Sequence, residues 1–171
     1  MVKLMSEHKA SVSWKRNNQN FLNNQYSRSH QWKFDGGIEI EASSSPLVVP
    51  FPLSNPSAID PEEAFVASIS SCHMLWFLSI AAKRKYCVDS YSDDAIGVME
   101  KNSNGYFYIS KVLLKPQVYF SGSNQPNNDE LLDLHEESHK NCFIANSVKT
   151  EIICKPINNQ DKVDFIGDYL S

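Results

Sequence analysis

One segment of this 171-residue chain constrains the fold more than any other: residues 64–82 carry no formal charge. The segment is close to the length that crosses a bilayer, but it contains four serines and His73. Its ends are those of an ordinary soluble helix. Asp60 is a good N-cap residue, Pro61 suits the first helical position, and basic residues follow residue 82. We therefore predict a buried central helix, apolar on all sides, and no membrane span.

Alternating segments on both sides of this helix predict strands, and Asp35-Gly36-Gly37 predicts a hairpin turn. A proline-rich irregular loop occupies residues 42–60, and Pro116 is expected to form an edge or bulge. The predicted strands are 8–15, 26–34, 38–40, 95–100, 106–120 and 148–154, with a second, amphipathic helix at 129–141. This order predicts an α+β fold in a single domain over residues 1–171.

Charge and cysteine content narrow the class of protein. Sixteen basic and 20 acidic residues give a net charge of -4, which lacks the basic footprint of a nucleic-acid-binding protein. Residues 1–9 contain no apolar run of the kind that a secretion signal carries. Four cysteines are too few for a disulfide scaffold in a chain of this length. We expect reduced thiols in a cytoplasmic protein.

The cysteines are the first candidates for chemistry. Cys72 lies in the middle of the predicted central helix, on a face of small residues, and Cys142 closes the second helix. Taken singly, each is more often a small core residue than a reactive one, and a reactive thiolate needs a nearby cation such as arginine. Cys87 and Cys154 have no distinctive setting, and we interpret both as structural.

A second motif offers an alternative candidate for the functional site. The sequence from His135 to His139 reads H-E-E-S-H, which matches the H-E-x-x-H pattern of zinc hydrolases. Glu136 would be the base, and Cys142, three residues on, a third zinc ligand. A zinc-protease helix is usually buried, whereas this one is strongly polar. The zinc hydrolase is therefore kept as an alternative hypothesis.

Two cysteine motifs in register resemble those of the OsmC/Ohr proteins. The stretch from Asp60 to His73 resembles the start of their central helix, and Cys142 followed by Ala145-Asn146-Ser147 resembles their second motif. The order of elements agrees over about residues 8–156, which leaves 157–171 as a C-terminal tail. The resemblance implies an OsmC-like fold, with antiparallel sheets wrapped around a long central helix in an intertwined homodimer.

The resemblance also implies a function. OsmC/Ohr proteins are thiol-dependent peroxidases that reduce organic hydroperoxides, or peroxides more broadly, with no metal or organic cofactor. By resemblance, Cys72 is the peroxidatic thiolate and Cys142 the resolving cysteine. An external dithiol, for which a lipoyl protein is one candidate, would reduce the resulting disulfide.

Two further residues follow from the family pattern. Arg28, with Arg16 as the fallback, matches the arginine that holds the thiolate, and Glu62 rather than Glu63 matches the glutamate that orients this arginine. Ten residues along a helix span about 15 Å, so Glu62 cannot touch Cys72 of its own helix. Either Arg28 bridges the two, or a second subunit supplies the glutamate.

Departures from the pattern leave the substrate open. His73 follows the first cysteine, where the hydroperoxide-specific branch typically has an apolar residue. Phe143 follows the second cysteine, where that branch often has proline. We interpret His73 as a hydrogen-bonded buried imidazole. Aromatic residues that could line an apolar substrate pocket are Phe51, Phe65, Trp76, Phe77 and Phe143. A non-catalytic OsmC-like binding module, with merely buried cysteines, is the third hypothesis.

Overall fold

The computed structural model describes residues 6–157. Most of segment 1–9 and all but one residue of the expected tail lie outside this range. The described elements are β1 (Ala10–Ser13), β2 (His30–Phe34), β3 (Glu39–Ala42), α1 (Pro61–Lys83), β4 (Cys87–Asp93), β5 (Ile96–Lys101), β6 (Phe107–Leu114), β7 (Pro116–Ser121), α2 (Asn128–Asn141) and β8 (Glu151–Cys154). The α+β class is therefore confirmed.

The chain divides into two compact units, Met1–Ala64 and Phe65–Ser171. The prediction of a single domain stays a prediction. In the first unit, β1, β2 and β3 form an antiparallel sheet in that order. The predicted hairpin joins β2 to β3, with Gly37 at φ 86°, a conformation that glycine adopts at little cost. Strand β2 begins at His30, four residues later than predicted.

Helix α1 begins where the sequence predicts, because a reciprocal cap satisfies its first backbone donors. The Glu63 amide donates to Asp60 Oδ1 at 2.7 Å, and the Asp60 amide donates to Glu63 Oε2 at 3.3 Å. This arrangement is a capping box with aspartate at the N-cap. Glu63 is thereby committed to the cap, whereas neighbouring Glu62 is not.

The second unit contains a two-stranded sheet, β4-β7, and a three-stranded sheet, β5-β6-β8. Strand β4 was missed because its sequence is polar and a bulge between Val88 and Ser90 breaks the alternation. Most strand pairs are antiparallel, as the family resemblance implies, but strand β8 pairs parallel to β6 and makes this sheet mixed. The predicted strand at 106–120 is two strands, since at Lys115, just before Pro116, the chain passes from one sheet to the other.

Helix α1 buries one face only. Its buried residues are Ile69, His73, Phe77, Ile80 and Ala81. An opposite stripe is exposed: Ala67, Ser71, Leu75, Ser79 and Ala82. Leu75 is 63% exposed, so the expectation of a helix buried on all sides is wrong for the isolated chain. Within residues 6–157, α1 is the one helix whose length and hydropathy would allow it to cross a membrane.

Helix α2 is held against the end of α1 by polar and apolar contacts. Leu134 is fully buried, whereas Leu132, which we expected on the buried side, is 56% exposed. Arg84, just after α1, pairs with Asp133 at 2.6 Å and also with Glu137. These contacts hold together the two helices that carry the candidate chemistry.

Candidate functional site

The second unit brings Cys72 of α1 and Cys142 of α2 together. Cys142 is the C-cap of α2: its backbone amide still donates to Ser138 and His139, but its own backbone is extended. The side chain is therefore fixed at the point where the helix ends. Cys142 is 1% exposed, Cys72 is half-buried, and both thiols are free.

The two thiols differ in their protonation. Burial first, and then a hydrogen bond with Cys72, raise the pKa of Cys142 to about 11. This hydrogen bond raises the pKa because it stabilises the protonated thiol of Cys142. The Ala145 amide donates to Cys142 Sγ at 3.4 Å and offsets part of the shift. Cys142 is thus a protonated thiol near neutral pH, and it interacts with Cys72.

Two aromatic side chains stand beside this dithiol. Trp76 lies one turn after Cys72 on the same face of α1, and Phe143 directly follows Cys142. Their rings meet edge to face with centroids 5.5 Å apart, and Phe143 is 68% exposed. The other three candidates lie elsewhere: Phe77 is fully buried core, Phe65 packs against a core cluster, and Phe51 is an exposed residue of the first unit. The dithiol therefore has an apolar edge made of two aromatic rings.

Arg28 and Glu62 both line one cavity in the first unit. Its volume is about 370 Å³, and its lining residues are Trp14, Phe21, Tyr26, Arg28, His30, Ser43, Ser44, Pro61 and Glu62. The Arg28 guanidinium lies 3.8 Å from the centre of the Tyr26 ring and donates to the backbone of Tyr26 and to Asn24 Oδ1 at 2.8 Å. No ion pair joins it to Glu62 among residues 6–157. The fallback residue, Arg16, is exposed.

The H-E-x-x-H motif is not assembled as a zinc-hydrolase site. His135 is 3% exposed and faces the core, whereas His139 is exposed. Among residues 6–157, one group of three potential metal ligands is found, and it contains His135, His73 and Cys154. Neither His139 nor Cys142 belongs to it. The sequence singles out His135 and His73 for separate reasons, but no local sequence pattern predicts that they lie near Cys154.

Burial controls the protonation of this second cluster. It lowers the pKa of His73 to about 4, with a smaller contribution from His139, and that of His135 to about 3, with a smaller contribution from His73. Burial, and then the negative charge of Asp93, raise the pKa of Cys154 to about 12. At neutral pH the cluster therefore holds two uncharged imidazoles and a protonated thiol.

In this α+β fold, one cysteine of helix α1 and one at the end of helix α2 meet at a shared contact. The sequence profile of the OsmC-like protein family matches residues 54–156, which is more than half of the chain. The chain belongs to the OsmC-like family, as its two cysteine motifs predicted. No curated protein matches the sequence.

Solved structures agree with this assignment. An OsmC-like protein of unknown function from Vibrio cholerae is 57% identical, with a TM-score of 0.87, and the match covers 90% of this chain and 100% of that one. An organic hydroperoxide resistance protein from Elizabethkingia anophelis is 20% identical, with a TM-score of 0.70, covering 92% and 99%. The organic hydroperoxide resistance protein OhrB of Bacillus subtilis is 14% identical, with a TM-score of 0.64, covering 89% and 98%. The last two similarities show the fold alone.

Family membership is consistent with a soluble protein, and it favours the interpretation of α1 as a core helix over that of a membrane span. It also supports a redox role of the peroxidase type at the level of the family. The roles of Cys72, Cys142, Arg28 and Glu62 stay predictions, as does the homodimer.

Proposed function

We propose that this protein is a thiol-dependent peroxidase that reduces organic hydroperoxides to alcohols in the cytoplasm. The observation that carries the proposal is the contact between half-buried Cys72 and buried, protonated Cys142. Members of the same fold that bear the name organic hydroperoxide resistance protein support peroxides as the substrate class.

The proposed cycle uses both thiols and balances without a cofactor. The Cys72 thiolate attacks one peroxide oxygen, the O–O bond breaks, and the alkoxide leaves and takes up a proton to become the alcohol. Cys72 is then a sulfenic acid. The Cys142 sulfur attacks it, a disulfide forms, and the hydroxyl leaves as water with the Cys142 proton. An external dithiol, for which a lipoyl protein is our candidate, returns both cysteines to thiols and is itself oxidised to a disulfide.

Exposure and protonation support this division of roles. A hydroperoxide must reach the attacking sulfur, and Cys72 is the more accessible of the two. Cys142 is only 1% exposed and keeps its thiol proton near neutral pH, so it is a poor first nucleophile. A sulfenic acid on Cys72 would form within reach of its resolving partner.

The apolar edge beside the dithiol supports an organic substrate. Trp76 and Phe143 would contact the carbon chain or ring of a fatty or aryl hydroperoxide, and hydrogen peroxide has no such group. The family pattern further assigns Arg28 to hold the thiolate and Glu62 to orient this arginine. The cavity that both residues line supports their joint use. Replacing either should slow peroxide reduction without changing which cysteines form the disulfide.

We also propose that the protein is a homodimer. The stripe of α1 that contains Ser71, Leu75 and Ser79 is exposed in one chain, and its small residues allow a second helix to approach closely. Leu75→Lys should give monomers in analytical ultracentrifugation. The matched control, Leu22→Lys, changes a leucine that is 97% exposed in a loop and should leave the dimer intact. A dimer that survives Leu75→Lys would place the interface elsewhere, and a monomeric parent protein would contradict the proposal.

The decisive experiment is the intact mass of the reduced protein before and after one equivalent of cumene hydroperoxide. We expect a loss of about two mass units, mapped to a Cys72–Cys142 peptide link. Cys142→Ser should stop the cycle at a Cys72 sulfenic acid that dimedone traps. Cys87→Ser, which changes an exposed cysteine, should behave like the parent. A Cys72→Ser variant that still reduced the peroxide at the parental rate would refute the proposal.

The same experiment separates the two alternatives. Two thiols that stay reduced would leave the family assignment in place and favour a non-catalytic binding module. A hydrolase at His135 and His139 receives no support from residues 6–157, because the two side chains do not share a set of three ligands.

A further inference from the structure

Three potential metal ligands from three separate elements meet in the interior of the second unit. His73 comes from α1, His135 from α2 and Cys154 from the end of β8. His73 Nε2 lies 3.0 Å from His135 Nδ1 and 3.8 Å from Cys154 Sγ. All three ligand atoms lie within 4.8 Å of one another, and the two imidazoles are 1% and 3% exposed.

The two separations that involve His73 are close to those around a bound zinc ion. With Zn–N distances of about 2.0–2.1 Å and a Zn–S distance of about 2.3 Å, ligands at tetrahedral angles lie about 3.3 to 3.6 Å apart. The two distances from His73 Nε2 differ from this range by a few tenths of an ångström. The remaining pair, His135 and Cys154, lies within 4.8 Å, so a rotation of the Cys154 side chain has to bring its sulfur closer to His135. We propose that His73, His135 and Cys154 bind one Zn²⁺ ion, with a fourth position left for water.

The hydrogen bond between these two imidazoles pairs only their inner nitrogens. A neutral imidazole carries one N–H, so a single bond between the rings leaves one outer nitrogen as a donor and the other as an acceptor. Those outer atoms, His73 Nδ1 and His135 Nε2, are buried and have no hydrogen-bond partner among residues 6–157. Burying unpaired polar atoms is unfavourable. An ion held by both inner nitrogens would replace that hydrogen bond, and both outer nitrogens would then be N–H donors.

Charge at the cluster also suits a zinc thiolate. Binding requires Cys154 to lose its thiol proton to solvent, and the resulting thiolate offsets one of the two positive charges. The Asp93 carboxylate, whose charge acts on Cys154, offsets the second. Asp93 is held in place by Ser70 Oγ, at 2.5 Å, and by the Lys115 amide, at 2.6 Å. Two imidazoles and a thiolate form a ligand set that binds Zn²⁺ in preference to Mg²⁺ and Ca²⁺, which favour oxygen ligands.

The proposed site is distinct from the dithiol. The ion would use Cys154 and leave Cys72 and Cys142 free, so the inference does not depend on the proposed peroxidase activity. The bound ion would link α1, α2 and β8. In this proposal His135 belongs to an interior site and not to the hydrolase motif.

The test is a titration of the full chain with Co²⁺ as a spectroscopic stand-in for zinc, under anaerobic conditions. The variant carrying Cys72→Ser, Cys87→Ser and Cys142→Ser retains Cys154 as its single thiol. We expect one Co²⁺ per chain, a thiolate-to-cobalt charge-transfer band in the near ultraviolet, and release of one proton per ion. Zn²⁺ should displace the cobalt and bleach the band.

Matched variants assign the ligands. Adding Cys154→Ser should abolish the band, and His73→Gln should weaken binding by at least about tenfold, with circular dichroism checking that each variant folds. His139→Gln, which changes an exposed histidine of the same helix, should bind like its parent. Absence of the band in the single-thiol variant would overturn the proposal. So would loss of binding in His139→Gln with retention in His73→Gln, because that result would assign the metal to the H-E-x-x-H motif.

Discussion

Two pairs of neighbours on the same two helices have different chemistry. Cys72 contacts Cys142, and His73, the next residue of α1, contacts His135 of the same α2. Successive residues of a helix point about 100° apart, so Cys72 faces the accessible dithiol while His73 faces the core. A one-residue step along the helix thus separates a half-buried cysteine from a fully buried histidine.

The aromatic neighbours of the two sites differ in the same way. Trp76, one turn after Cys72, is half-buried and meets Phe143 at the surface. Phe77, one turn after His73, is fully buried and lies against the His135 ring with centroids 4.4 Å apart. The dithiol is therefore bordered by partly exposed aromatic rings, whereas the histidine cluster lies against a fully buried ring.

The largest expected effect is a difference in stability between a variant beside the histidine cluster and a variant beside the dithiol. Phe77→Ala should lower the free energy of unfolding by about 3–5 kcal/mol, because it removes a fully buried ring and leaves a cavity. Trp76→Ala should cost clearly less, since part of its ring already contacts water. Urea unfolding of both variants measures the difference. Equal losses would mean that the edge of the dithiol is packed as tightly as the core.

The second expected effect concerns the protonation of the dithiol. The pKa of Cys142, at about 11, lies two units above the ordinary thiol value of 9.0, so near neutral pH its thiolate fraction is about 100-fold lower than that of an ordinary thiol. Because the thiolate is the reactive form, alkylation of Cys142 should be slow and should accelerate about tenfold per pH unit until pH 11. Peptide-mapped labelling with iodoacetamide measures the rate, with exposed Cys87 as the internal reference.

A variant refines the interpretation of that rate. Cys72→Ala removes the hydrogen-bond partner of Cys142, so the pKa of Cys142 should fall while burial still holds it above 9. An unchanged profile would mean that burial alone sets the pKa and that the two sulfurs do not interact.

The smallest expected effect should not distinguish the two sites. Asp60→Ala removes the N-cap of the helix that carries both Cys72 and His73, and it should cost about 1 kcal/mol of stability. Glu62→Gln, in the same turn but outside the cap, should leave stability nearly unchanged and slow peroxide reduction. Thermal unfolding and peroxide assays of the two variants test this division. A Glu62→Gln variant as destabilised as Asp60→Ala would point to a structural role for Glu62.

Local features of the fold were predictable from the sequence. The cap at Asp60, the extent of α1, the hairpin at Gly37 and the position of α2 all depend on residues within a few positions of one another. Strand β4 was missed for the same reason, since a bulge broke the local alternation on which its recognition depends. The parallel pairing of β8 with β6 involves a partner about 40 residues away, and no local pattern encodes its direction.

The candidate sites divide in the same way. Sequence motifs alone marked Cys72 and Cys142, because each lies in a short stretch typical of the family. The exposed stripe of α1 and the unequal protonation of the two thiols required the tertiary structure, since burial is a property of packing. The cluster of His73, His135 and Cys154 joins residues separated by 62 and 81 positions in the chain. The sequence by itself determined which residues could do chemistry and which helices carry them. Only the folded chain decided which of them meet, because side-chain contacts across such separations depend on how the whole core packs.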